Sequence, residues 1–209
     1  MEPKDTRSEL LRIGTELINQ GGYHATGIDA VLKLAGVPKG SFYHHFKSKE
    51  DFGLEVIDQF TERLEQNLAL FLGEEGVPPL ERIRNFLENR TARLAQNHFT
   101  RGCLIGNLGQ EMADLNERFR ERLEGAFEMW QRRLAACLQE AQRRGDLPKD
   151  LDPHLTAGFI LSSFQGALLR AKTTKSLQPM QDFTKVIFEV VLHRCGESGG
   201  AAPFRPDRA

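Results

Sequence analysis

The sequence predicts an all-α fold of about nine helices, with a three-helix N-terminal domain ahead of a larger helical domain. Apolar residues recur every three or four positions in nearly every segment, which is the period of an amphipathic helix. Capping residues or proline stand where most of these segments begin, and glycine follows the end of several, as helix boundaries require. No segment is predicted to be a strand.

The composition narrows the class of protein. A length of 209 residues allows one large domain, or a small domain plus a larger one. The formal net charge is −1, so any nucleic-acid binding must come from a local basic patch. No run of 18 apolar residues and no signal-peptide pattern occurs, so we expect no membrane span and a cytoplasmic protein. Three widely spaced cysteines indicate free thiols in a reducing compartment.

The first three helices are short and closely spaced. A helix over residues 6–20 begins with the capping box Thr6 and Glu9 and ends at Gly21-Gly22. Thr26 is predicted to cap a second helix, with Asp29 at its third position. Gly36 then supplies a left-handed turn, and Pro38 takes the first position of the third helix.

The remaining helices are longer and more amphipathic. Ser48 and Asp51 form a capping box that opens a helix over about 49–72, and Asp152 caps another that begins at Pro153. Two further helices are predicted over 102–113 and 116–143, and two others begin at residues 79 and 178. We therefore predict domains at 1–48 and 49–195, and residues 196–209, which are rich in Gly, Ala, Pro and Arg, as a disordered tail.

A helix, a short glycine turn and a second short helix make up the helix-turn-helix arrangement. Residues 24–50 carry four lysines against one aspartate and one glutamate, which is the local basic patch that phosphate binding needs. In the third helix, Phe42 and Phe46 should face the core. The residues that we expect to contact double-stranded DNA are Thr26, Lys39, Gly40, Ser41, Tyr43, His44 and Lys49.

Each of these residue types suits a distinct contact. Lys39 can reach a guanine edge or a phosphate, and Gly40 lets the backbone approach closely. Ser41 and His44 offer short polar groups to bases, and Tyr43 can donate its hydroxyl to a phosphate. Thr26 and Lys49 stand at helix N-termini, where phosphate is favoured.

Residues 10–55 resemble the TetR family of transcriptional repressors, most clearly along the stretch from Ala35 to Lys49. The resemblance implies an all-helical homodimer that binds a palindromic operator through its N-terminal domain and an inducer through its C-terminal domain. Residues 101–111, 130–133 and 166–172 further resemble the branch with acrylate-responsive and N-ethylmaleimide-responsive repressors. That likeness implies an inducer that is a small electrophile or a short unsaturated acid.

Cys103 is the candidate sensor residue. It follows Arg101 at the start of a short helix, and a helix N-terminus and a nearby cation both favour the reactive thiolate. His98 lies five residues upstream and could assist. The alternative is an inert core cysteine.

The same short helix carries Gly102, Gly106 and Gly109, whose spacing makes a smooth strip that either receives another helix or leaves room for a ligand. The groups expected near that space, besides Cys103, are Asn107, Gln110 and Trp130, although a core tryptophan is equally consistent. No metal or cofactor site is predicted, because no Cys/His cluster has ligand spacing.

The last two helices are predicted to pair two subunits as a four-helix bundle. The predicted interface residues are Phe159, Ile160, Phe164, Ala167, Leu168, Phe183, Ile187 and Val190. Two alternatives to an inducible repressor stay open. One is a thiol-dependent enzyme that uses Cys103 and His98, although no third orienting residue is evident. The other is a DNA-binding protein that responds to no ligand.

Overall fold

The computed structural model describes residues 5–193, and within that range every regular element is a helix. Cys195 and the predicted tail over 196–209 lie outside the described residues. The helices, in chain order, are α1 Thr6–Gly21, α2 Ile28–Ala35, α3 Lys39–His45, α4 Lys49–Leu72, α5 Pro79–Gln96, α6 Leu104–Met112, α7 Glu117–Arg144, α8 Pro153–Thr174 and α9 Gln178–Val186. A π-helical turn, Ile187–Val191, continues α9.

Most helix boundaries follow local capping, as predicted. Ser48 accepts the backbone N–H of Asp51 at 3.0 Å, and Asp152 accepts those of His154 and Leu155. Gly145 ends α7 in the left-handed conformation. The predicted Thr6 cap is wrong, since α1 already includes Thr6 and the side chain of Asp5 caps it.

An aromatic cluster closes the N-terminal three-helix unit. Phe42, Phe46 and Phe52 have ring centroids 4.9–5.2 Å apart, and each is 2 % exposed or less. Phe42 and Phe46 come from α3, whereas Phe52 comes from the first turns of α4. Burial of these rings therefore ties α3 to the long helix that continues into the rest of the molecule.

The C-terminal helices pack around Trp130 on α7. Its ring makes edge contacts with Phe86 on α5 and Phe164 on α8, at centroid distances of 5.9 and 5.5 Å. Phe164 in turn contacts Phe183 on α9. This chain of rings joins α5, α7, α8 and α9 into one core.

A buried arginine holds the α4–α5 connection to α7. Arg82 is 7 % exposed and pairs through two nitrogens with both carboxylate oxygens of Glu140, at 2.8 and 2.9 Å. It also donates to the carbonyl oxygens of Leu72 and Val77. Arg82 thus satisfies backbone acceptors at the end of α4 and in the loop that follows.

Candidate nucleic-acid interface and candidate ligand cavities

The third helix presents a polar outer face. Lys39, Gly40, Tyr43 and His44 are exposed, while Ser41 is half-buried. The only recorded contact of the Lys39 ammonium within residues 5–193 is an ion pair with Asp29 at 3.4 Å. Because both partners are largely exposed, this pair is weak and can open when another anion approaches.

The turn before α3 sets its direction relative to α2. Gly36 has a φ of 67°, and the N–H of Val37 donates a hydrogen bond to the carbonyl of Leu32. Pro38 is the N-cap of α3, one position earlier than predicted. The glycine is needed because a side chain at that φ would be strained.

Two of the predicted DNA-contact residues, Thr26 and Lys49, make hydrogen bonds within the protein. The N-cap of α2 is Gly27 and not Thr26. The Thr26 hydroxyl instead donates to the carbonyl of Gly22 at 2.7 Å, and Thr26 is 7 % exposed. Lys49 donates to the carbonyl of His24 at 3.4 Å and lies 4.6 Å from the centre of the Tyr23 ring. The cap assignment for Thr26 is therefore wrong, because the helix begins later.

A cavity of about 500 Å³ lies between α6, α7 and α8, and we call it the glycine-side cavity. Cys103, Asn107 and Gln110 line it, as do Phe127 and Leu169. Trp130 does not, and its assignment to the ligand site is corrected, since its ring is packed between Phe86 and Phe164.

Gly102, Gly106 and Gly109 make room for neighbouring side chains and border the cavities. A Cβ at Gly102, which precedes α6, would lie 3.0 Å from Lys172 Cδ, and a Cβ at Gly106 would overlap Gln165 Oε1. A Cβ at Gly109 would lie 3.9 Å from the Phe127 ring. Gly102 and Gly106 therefore accommodate two long side chains of α8, and Gly109 forms part of the cavity wall beside Phe127.

A polar chain of side chains crosses from α8 through α6 to α1. Lys172 donates to Asn107 Oδ1 at 3.3 Å, and the Asn107 amide donates to Asn19 Oδ1 at 3.0 Å. Burial is the main cause that lowers the pKa of Lys172, and Lys175 lowers it further. The Asn107 side chain thus links the cavity wall to the first helix.

A second cavity, of about 320 Å³, lies between α1, α4, α5 and the start of α6, and we call it the arginine-lined cavity. Cys103 and Leu168 line both cavities and so form the wall between them. Arg63, Arg90 and Arg93 are among its other lining residues.

Cys103 and Cys137 differ in their surroundings, although both are buried. Cys103 is the N-cap of α6 and borders both cavities. Cys137 lies in the core, where its thiol donates to the carbonyl of Pro79, and burial raises its pKa to about 12. His98 lines neither cavity, so nothing places it as an assistant to Cys103.

The predicted dimer face requires correction. Ile160, Phe164, Leu168, Phe183 and Ile187 are each 8 % exposed or less, because they pack into the core of their own subunit. Ala167 is half-buried. Of the predicted set, only Phe159 and Val190 are more than half exposed, at 51 and 55 %.

A different stripe of α8 faces outward. Its exposed members follow spacings of four and three residues, and they are Leu155, Phe159, Ser162, Gly166 and Leu169. Val186 and Val190 of the last helical segment are also exposed. The sequence prediction included Val186 in the dimer surface but missed Leu155 and Leu169, although the alternating four-and-three spacing on α8 is the signal of a helix seam.

Sequence reasoning also missed Glu111. Its carboxylate accepts the backbone N–H of Tyr23 at 2.8 Å and that of His24 at 2.7 Å. These two residues follow α1 and are almost 90 positions away in the sequence. No local sequence pattern predicts a contact between residues so far apart in the chain.

Residues 5–193 contain neither a membrane-spanning helix nor a cluster of metal ligands. No helix there is long and apolar enough to cross a membrane. No group of three or more His, Cys, Asp or Glu side chains in that range is placed to hold a metal ion.

The helix-turn-helix unit, its exposed basic face and the cavity-bearing helical domain define a DNA-binding protein of the ligand-responsive type. Residues 10–56 match the family "Bacterial regulatory proteins, tetR family", and residues 79–187 match the family "Tetracyclin repressor-like, C-terminal domain". The chain belongs to the TetR family of transcriptional regulators.

Similar proteins agree on this assignment. The transcriptional regulator AcuR of Cereibacter sphaeroides is 42 % identical over 84 % of this chain and 80 % of its own length. The repressor DhaR of a Mycobacterium species is 36 % identical over 89 % of this chain and 92 % of its own length. The repressor NemR of Escherichia coli is 30 % identical over 85 % of this chain and 89 % of its own length.

Solved structures give the same result. The regulatory protein TetR from Rhodobacter sphaeroides superposes with a TM-score of 0.84 and 40 % identity, covering 88 % of this chain and 97 % of that one. The reduced form of E. coli NemR superposes with a TM-score of 0.83 and 29 % sequence identity, covering 89 % of this chain and 96 % of that one. The protein is a DNA-binding transcriptional repressor of this family. Its family membership rejects the alternative of a thiol-dependent enzyme.

Proposed function

We propose that two copies of this chain bind a palindromic operator in the cytoplasm and that a small electrophile or a short unsaturated acid releases them. The observation that carries the proposal is the position of α6. This helix begins at Cys103 between two cavities and ends near Glu111, which holds the backbone after α1. Displacement of α6 by a bound molecule therefore moves the DNA-binding domain, which we place at residues 1–48.

The exposed face of α3 is our proposed DNA-reading surface. Lys39, Gly40, Tyr43 and His44 are free to enter a major groove, with Ser41 beside them. We assign Lys49 to a phosphate at the start of α4. At Thr26, a phosphate contact would have to use backbone amides of α2, because the hydroxyl proton is donated to Gly22.

The outward stripe of α8, with Val186 and Val190, is our proposed dimer face. A two-fold axis there would bring four helices together, and the two recognition helices would have to reach major grooves roughly 34–36 Å apart. Residues 49–195 would hold that distance in each dimer.

Release follows from differential affinity. An effector shifts the equilibrium only if it binds the DNA-incompetent conformation more tightly than the operator-bound one. For an electrophilic alkene, the Cys103 thiolate forms a bond to one alkene carbon, the π bond breaks, and the adjacent carbon takes up a proton. The two cavities beside Cys103 disfavour the alternative of a DNA-binding protein that responds to no ligand.

The test selects operator DNA with the purified protein and then measures release by a panel of small molecules in a gel-shift assay. N-ethylmaleimide and acrylate represent the two proposed classes. We expect release by at least one class, and release by the electrophile should be lost in Cys103→Ser but kept in Cys137→Ser. Release by neither class would reject the inducer, and unchanged release in Cys103→Ser would reject the thiol step.

A further inference from the structure

The arginine-lined cavity contains positive charge that no carboxylate of residues 5–193 neutralises through an ion pair. Arg63, Arg90, Arg93 and Arg101 all line it. Within the described part of the chain, none of these four guanidinium groups has a recorded ion pair or hydrogen bond. By contrast, the arginines of α7 that face α4 each have a carboxylate partner; they are Arg118, Arg122 and Arg133.

Among its lining residues, the cavity has one acidic side chain, Glu16, and this group already pairs with Arg12 at 2.9 Å. Arg90 and Arg101 are half-buried, whereas Arg63 and Arg93 are exposed at the edge. Burial is the main cause that lowers the pKa of Arg90; electrostatic attraction to Cys103 opposes this shift, and the nearby Arg93 adds to it. Guanidinium groups gathered with so little counter-charge lose free energy unless an anion joins them.

The other walls indicate what kind of anion fits. Phe60, Leu94 and Phe164 give the cavity an apolar surface, and Leu168 with Cys103 closes it toward the glycine-side cavity. An inorganic anion would leave that apolar surface unused. A short organic acid can place its charge on the arginines and its carbon atoms on the apolar wall. The volume of about 320 Å³ is sufficient for a molecule of a few carbon atoms.

We propose that the arginine-lined cavity is a binding site for a short organic carboxylate, with Arg90 and Arg101 holding its anionic end and the Cys103–Leu168 wall contacting its carbon chain. A guanidinium fork matches the two oxygens of a carboxylate. Arg63 and Arg93 attract the anion to the opening. The site is distinct from the glycine-side cavity.

Occupancy would also act on the DNA-binding domain. Thr15, Glu16 and Asn19 of α1 form one wall of this cavity, and Arg90 on α5 faces it from the C-terminal domain. A carboxylate bound there bridges the two domains. That this bridge controls operator binding rests on the proposed function, whereas the anion site itself does not.

The site is tested by calorimetric titration of the full-length protein without DNA, in the wild type with propionate, which cannot alkylate a thiol, and in Cys103→Ser with every probe. The probes are acrylate, propionate, acrylamide and inorganic phosphate. Acrylate and propionate should bind, whereas acrylamide, which is similar in size but neutral, should bind at least about tenfold more weakly. Acrylamide or phosphate binding as tightly as acrylate would overturn the assignment.

The variants localise the binding. Arg90→Gln should lose about tenfold or more in acrylate affinity, and Arg90→Lys should retain part of it, since the charge stays but the fork is lost. Arg132→Gln, an exposed arginine of α7, is the matched control. Unchanged acrylate affinity in Arg90→Gln overturns the proposal, and if that variant fails to fold, Arg90→Lys and Arg101→Gln decide.

A parallel gel-shift assay separates the two proposals. If acrylate binds with the expected dependence on Arg90 yet leaves the operator complex intact, the anion site stands and its effector role fails. If the protein selects no operator, the titration still decides whether the site exists.

Discussion

The carboxylate of Glu111 on α6 accepts the backbone N–H of Tyr23 at 2.8 Å, and its other oxygen accepts that of His24. Two consecutive amides of the DNA-binding domain are thus held by one side chain of the C-terminal domain. Because Gly22 has a φ of 90° and a Cβ there would lie 2.9 Å from Glu111, the chain can adopt this approach only with glycine at that position.

Removal of this carboxylate should loosen the backbone after α1. In Glu111→Ala, we expect hydrogen exchange at the amides of Tyr23 and His24 to rise by about tenfold or more, as the loss of charge-assisted hydrogen bonds implies. Glu111→Gln keeps one acceptor oxygen and should have a smaller effect. Exchange mass spectrometry of a peptide over 20–27 measures it. Glu121→Ala is the control, and equal exchange in Glu111→Ala and the wild type would contradict the expectation.

The ion pair between Lys39 and Asp29 competes with DNA. Lys39→Ala should weaken operator binding and reduce the slope of log affinity against log salt by about one, because one phosphate contact is lost. Asp29→Asn should bind more tightly than the wild type, since it frees the ammonium. Fluorescence anisotropy over a salt series tests both variants. Lys149→Ala, in the loop before α8, is the control, and an unchanged slope in Lys39→Ala would reject the contact.

The outward stripe of α8 should control assembly. Leu155→Glu places a charge where we expect an apolar interface, and it should raise the dimer dissociation constant by about thirtyfold or more. Leu115→Glu alters a residue of similar exposure, 67 % against 72 %, away from the stripe and should leave the dimer intact. Analytical ultracentrifugation gives the constants. Ile160→Glu, which is fully buried, should unfold the subunit rather than dissociate it.

The ion pair between the buried Arg82 and the partly exposed Glu140 should make stability depend on acid pH. The hydrogen bonds from Arg82 lower the pKa of Glu140 below its ordinary value of 4.5. The folded state therefore binds this proton more weakly than the unfolded state, so the carboxylate stabilises the fold above the unfolded pKa. That contribution is lost as the pH falls through the folded pKa.

Glu140→Gln should consequently lower Tm at neutral pH, and the difference from the wild type should shrink below about pH 4.5. Calorimetry over a pH series provides the measurement. Glu128→Gln, which breaks an exposed pair with Arg132, should change Tm little at any pH. A difference that stays constant across the series would show that Glu140 acts through packing alone.

Local chemistry determined much of this protein from the sequence. The caps at Ser48 and Asp152 and the left-handed glycines Gly36 and Gly145 follow rules that involve only a few neighbouring residues. The burial of Phe42 and Phe46 follows from a spacing of four on one helix face. All-α architecture, the helix-turn-helix and family membership were therefore readable from the sequence.

Only the tertiary structure decided which apolar face of α8 is buried inside the subunit and which is exposed and available to a partner. Ile160 and Phe159 are neighbours and both are apolar, yet Ile160 is fully buried and Phe159 is half exposed. The packing of Trp130, the Glu111 contact and the position of Arg90 in the cavity wall depend in the same way on helices far apart in the chain. Helical periodicity shows that a face is apolar, but what that face meets depends on how the helices pack.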